Sequence, residues 1–131
     1  MRVQLSSILA VFCGAGIGAL CRWLLGLAFN PLFPTLPLGT LAANLSGGLV
    51  MGVVLACFGH FQSIPPAMRL LLTTGFLGGL TTFSTFSGES ATLLLRQQFG
   101  WMSVHVLAHV VGSVACTLAG IGLVRLLVAR Q

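Results

Sequence analysis

Residues 73–89 read TTGFLGGLTTFSTFSGE, from Thr73 to Glu89, and the fold turns on how a chain can carry this stretch. It lies inside a longer apolar run, Ala67 to Leu95, entered through Pro65-Pro66. Crossing a bilayer takes about 20 mostly apolar residues, so the run is long enough. Its middle is a poor helix. Gly75, Gly78 and Gly79 each weaken a helix by about 1 kcal/mol relative to alanine. Seven hydroxyl residues crowd the same window: Thr73, Thr74, Thr81, Thr82, Ser84, Thr85 and Ser87. In lipid, irregular backbone persists only where protein or a wet cavity satisfies its polar groups. The expectation is a helix broken near Gly78-Gly79, with amides and carbonyls turned toward a partner or an ion, as in the discontinuous helices of transporters.

Outward from this run the chain is apolar throughout. Charged residues make up 5% and hydrophobic residues 56% of 131, and the mean hydropathy is +1.06. A soluble domain carries about 25% charge, so this chain cannot cover a water-facing surface. Three further runs span a membrane by length: Val3 to Ala28, ended by Asn30-Pro31; Leu38 to Phe58, entered through Pro37; and Trp101 to Val128. The expected fold is all-α, with four transmembrane helices in one domain over residues 1–131 and short loops between them. The first run resembles a signal peptide, but Leu20 precedes Cys21 where a lipoprotein cleavage site wants a small residue. A retained first helix is the expectation.

Gly14 and Gly18 form one GxxxG pair, and Gly48 and Gly52 another. These spacings let membrane helices approach closely. The four cysteines (Cys13, Cys21, Cys57, Cys116) all lie in apolar runs without metal-ligand spacing, and read as small packing residues. The six arginines are scattered singly, so no basic patch tracks nucleic acid phosphates. In a four-span protein Arg2, Arg69, Arg125 and Arg130 fall on one side and Arg22 and Arg96 on the other. That imbalance is too small to fix orientation. Insertion both ways round permits an antiparallel homodimer, an inverted repeat made from two copies of one chain.

The polar groups inside the spans have plain structural roles and functional alternatives. Asn44 serves interhelical hydrogen bonding by default, and otherwise offers its amide to a passing ligand. His105, His109, Gly112, Ser113, Cys116, Thr117 and Gly120 recur at three- and four-residue steps and share one helical face. Ser113 and Thr117 either bond back to their own helix or line a path. His105 and His109 have the i, i+4 spacing of metal ligands, but no third ligand lies near them in sequence, which argues against a metal site. Phe83 and Phe86 are packing residues by default, yet their positive ring edges suit an anion that must be bound weakly. Glu89, the lone acid, is a functional candidate as an acid inside a span, but near the end of that span it can cap or pair with Arg22 or Arg96, and structural pairing is the expectation. No triad, P-loop or dinucleotide fingerprint appears, so neither an enzyme nor an ATP-driven pump is expected.

The run Gly75 to Glu89, with its TTFSTF core, resembles the signature of the Fluc (CrcB-type) fluoride channel family. Gly39-Thr-Leu-Ala-Ala-Asn44, the run Gly14 to Arg22, and Gly112-Ser113 followed by Thr117 resemble that family's other motifs, in order and over the whole chain. The resemblance implies a dual-topology, antiparallel homodimer in a bacterial inner membrane, with two pores that export fluoride passively. It implies pore roles for Phe83, Phe86 and Asn44, a hydroxyl track at Ser113 and Thr117 with Ser84 a weaker member, and a vestibule role for Arg22. It further implies a structural sodium ion at the dimer interface, held by the carbonyls of Gly78 and Thr81. Two other classes stand beside it. A small multidrug antiporter needs a central acid in the first span, which has none. An assembly subunit of a larger membrane complex would require a second protein.

Overall fold

A computed structural model describes residues 4–130 of the chain; Arg2, counted above toward orientation, lies outside them. Helix α1 spans Leu5–Phe29, followed by a 3₁₀ turn at Asn30–Leu32 and α2 over Leu38–His60. The third run is built in pieces: α3 (Pro66–Leu70), a π-helical stretch (Leu71–Leu77), α4 (Gly78–Leu80) and, after Thr81-Thr82, α5 (Phe83–Leu95). The last helix, α6, spans Phe99–Val128. Among the described residues there is no strand. Helices α1, α2 and α6 are each long and apolar enough to cross a membrane.

Local chemistry explains the boundaries. Pro66 opens α3 at a position whose N–H would be unsatisfied in any case. The side chain of Asn30 reaches forward to α2, where its Oδ1 accepts from Gly39 N at 2.8 Å and Thr40 N at 3.2 Å. These are orphan donors of a helix start that Pro37 cannot cap. At the end of α5, Gln97 takes φ 57°. Gln97 N and Gln98 N then bond back to the carbonyls of Leu94 and Leu93, both at 2.9 Å, which closes the helix in a Schellman-type turn.

The interruption of the third run does not fall at Gly78-Gly79. Gly78 is helical, with φ −64° and ψ −35°, whereas Thr81 (φ −84°, ψ 155°) and Thr82 (φ −147°, ψ 116°) are extended. Gly75 and Gly79 serve contact. A Cβ on Gly79 would run into the Ala15 backbone, and one on Gly75 would lie 3.1 Å from the Gly14 Cα. On α1, a Cβ on Gly14 would come within 2.5 Å of the Leu71 carbonyl oxygen. The first GxxxG pair therefore seats α1 on the π-helical stretch and α4. The second pair seats α2 on α6: a Cβ on Gly48 would meet the Ser113 carbonyl oxygen at 2.8 Å, and one on Gly52 would run into that of Thr117. Close backbone approach is what small residues provide in such seams. Ala43, Val54, Leu77 and Leu80 form the core between the two pairs, and all four cysteines are free.

Candidate functional site

The interruption at Thr81-Thr82 is built by two side chains. Asn44, on α2, clamps Thr82: its Oδ1 accepts from Thr82 N at 2.7 Å and its Nδ2 donates to Thr82 O at 3.1 Å. Thr82 then starts α5 as its N-cap, its Oγ1 accepting from Thr85 N at 3.1 Å. Both bonds draw amides from their helical partners. Thr82 N would bond the Gly78 carbonyl in an unbroken helix, and Thr85 N the Thr81 carbonyl. The Gly78 and Thr81 carbonyls are left without those donors.

An open groove of ≈ 480 Å³ runs beside this point. It brings together most of the residues picked out from sequence: Asn44, Gly78, Thr81, Phe83, Phe86, Ser113 and Thr117 all line it. Phe83 stands at its edge, 77% exposed, while Phe86 is buried. Their ring centroids are 5.6 Å apart. Arg22 and Ser84 are not on this groove. Arg22 lines a second cavity of ≈ 290 Å³ with Thr40, Thr82 and Thr85, and its Nε donates to Gly79 O at 3.0 Å. Ser84 Oγ lies 3.3 Å from Thr82 Oγ1.

The donors are largely engaged within the chain. Asn44 Nδ2 also lies 3.0 Å from His109 Nδ1, so both of its amide protons have partners. Thr117 Oγ1 donates toward Gly48 O and Ser113 O, each at 3.0 Å. Asn44 thus holds the interhelical role that was its default, and can donate to a ligand only by releasing Thr82 or His109.

Glu89 does not pair with Arg22 or Arg96. The fold turns it toward α2 and α6, where Thr40 Oγ1 donates to Glu89 Oε1 at 2.7 Å. Its Oε2 lies 3.6 Å from His105 Nε2. The histidines, separated from Glu89 in sequence, therefore do have a third potential ligand beside them. Phe86 covers the cluster, with ring centroids 5.3 Å from His105 and 4.9 Å from His109.

A family model described as CrcB-like protein, Camphor Resistance (CrcB), matches residues 9–121. The chain belongs to the CrcB family. It is 54% identical over 117 residues to a protein of Nitrosospira multiformis named fluoride-specific ion channel FluC, covering 89% of this chain and 91% of that one. It is 52% identical over 124 residues to the protein of the same name from Tolumonas auensis, covering 95% and 98%. A third, from Aromatoleum aromaticum, is 56% identical over 110 residues and 84% of each chain. As a CrcB-family chain with several long apolar helices, this is a multi-pass integral membrane protein.

Sequence reasoning about this CrcB-family chain missed two positions. Asn30 reads as a helix terminator, and its bonds to Gly39 N and Thr40 N reach across the loop to a helix start outside the reach of a local N-cap pattern. Thr40 lies in the quoted run from Gly39 to Asn44, but its bond to Glu89 spans 49 residues, and no local pattern announces it.

Proposed function

We propose that this chain is a fluoride-selective ion channel, not an enzyme, and that it works as an antiparallel homodimer exporting fluoride across a bacterial inner membrane. The observation that carries the reading is identity above 50%, over most of the chain, to proteins named fluoride-specific ion channels. The groove supports it. Phe83, Phe86, Ser113 and Thr117 give it neutral, weakly electropositive edges and hydroxyls and no cation. A fixed guanidinium in the narrow part would trap an anion, since charge-assisted hydrogen bonds are about twice as strong as neutral ones. Conduction requires binding strong enough to admit the ion and weak enough to release it. A negative-inside potential then drives the anion outward at about 2.3 kcal/mol per charge per 100 mV.

The third run completes a fourth crossing, with the interruption at mid-membrane. A second copy in opposite orientation closes the groove and covers Phe83. The Gly78 and Thr81 carbonyls, one set from each copy and freed by Asn44 and Thr82, together hold a structural sodium ion, since hard cations take oxygen ligands. Asn44 contributes by fixing where α5 begins. Ser113 and Thr117 present hydroxyls along the path, Ser84 lies off it, and Arg22 draws anions toward its mouth.

The test is ion efflux from proteoliposomes holding only the purified chain, under an imposed potential. Fluoride efflux with chloride nearly excluded is expected. Equal chloride flux, or no fluoride flux from well-folded protein, overturns the reading.

A further inference from the structure

We propose that Glu89, His105 and His109 form a binding site for a divalent transition-metal ion of the zinc type. The inference stands on the cluster itself and does not rest on the fluoride reading. Each of the three residues offers one ligand atom, and these atoms all lie within 4.8 Å of one another. Glu89 Oε2, both ring nitrogens of His105 and Nε2 of His109 are buried, with no hydrogen-bond partner among the described residues. His105 is 0% exposed and His109 is 4% exposed. Buried polar atoms are normally paired, and here one unpaired atom from each of three residues converges on a single point and asks for a ligand.

The donor set selects the ion. Two imidazoles and a carboxylate suit zinc and its neighbours, whereas calcium and magnesium want oxygen alone. Zinc bonds of about 2.0–2.1 Å in a tetrahedron place ligand atoms about 3.3 Å apart. The separation of Glu89 Oε2 from His105 Nε2, 3.6 Å, is already close to that. Thr40 holds Glu89 by its other oxygen, Oε1, the kind of outer hydrogen bond that fixes a ligating carboxylate. The cluster opens on one side, where His109 lines the larger cavity.

His109 is the ligand that must adjust. Asn44 cannot turn over, because its Oδ1 takes the Thr82 N–H, so its Nδ2 donates to His109 Nδ1. The ring proton of metal-free, neutral His109 therefore sits on Nε2. An ion on Nε2 moves that proton to Nδ1, which then faces the Asn44 N–H and breaks the bond. Metal loading and the Asn44–His109 contact are mutually exclusive.

The experiment titrates the purified, untagged, metal-free full chain in detergent with Co²⁺ and then Zn²⁺, reading visible absorption and bound metal per chain. One ion per chain is expected, with the intense absorption of tetrahedral Co²⁺, bleached by Zn²⁺. In ¹⁵N-histidine spectra the His109 proton should move from Nε2 to Nδ1 on loading. Thr40→Val should weaken zinc binding about 10–100-fold. Glu89→Gln, which keeps the side chain's size, and His105→Gln should each weaken it more, with gel-filtration profiles unchanged. His60→Ala should leave binding intact. No stoichiometric binding, binding lost in His60→Ala, or equal affinity in Glu89→Gln and His105→Gln would each overturn the site.

Discussion

Replacing Asn44 with alanine should unfasten the start of α5. The side chain makes three contacts: with Thr82 N at 2.7 Å, Thr82 O at 3.1 Å and His109 Nδ1 at 3.0 Å. Polar pairs between membrane helices average about 0.6 kcal/mol each and reach about 1.7. A buried backbone group left without a partner costs about 1–3 kcal/mol, and Thr82 is 8% exposed. The variant should therefore lose about 2–5 kcal/mol of stability. Asn44→Asp should do little better while ionised: one oxygen still accepts from Thr82 N, but the other opposes the Thr82 carbonyl and His109 Nδ1. Denaturant titration in mixed micelles measures the global loss. Amide exchange at Thr82 measures the local one, and should quicken at least about 30-fold for 2 kcal/mol, at tenfold per 1.4 kcal/mol. A stability change under about 0.5 kcal/mol, with the Thr82 amide still protected, would refute the clamp.

Phe83→Ile and Phe86→Ile should each cut fluoride efflux from proteoliposomes severely. Phe83→Ile should leave the stability of the single chain nearly unchanged because that ring is 77% exposed. Gly52→Ala sets a Cβ against the Thr117 carbonyl of α6 and should cost about 1–3 kcal/mol. Gly122→Ala, with open space around it, should be neutral or stabilising by about 0.5–1 kcal/mol; the same micelle titration compares the two. Reporters on the chain termini, readable from one side only, should find both orientations in comparable amounts, and a uniform orientation would exclude the antiparallel dimer.

The long helices were legible because composition and length decide them: α1, α2 and α6 fall within a few residues of the runs read from sequence. The interruption was legible as an event but not as a position. Glycine weakens a helix, and Gly78-Gly79 attracted the break on that ground. Here glycine's absent side chain is used to admit Ala15, and a clamp from another helix sets the break two residues on. Propensity is local, whereas Asn44 and Thr82 are 38 residues apart. The same distance hid the Glu89 partners. A lone acid near the end of its span invites an ion pair with arginine, but the fold directs it to Thr40 and His105 instead.

The glycine seams pair the helices out of sequence order, α1 with the third run and α2 with α6. During synthesis α1 is therefore made well before its main partner, and α2 has to wait for the last helix. A chain stalled after α5 would present the Gly48–Gly52 face of α2 to whatever occupies the bilayer. Completion of α6 is the step that removes this exposed seam. Until then the small residues of that seam lie against lipid, without the backbone of α6 that they are shaped to admit.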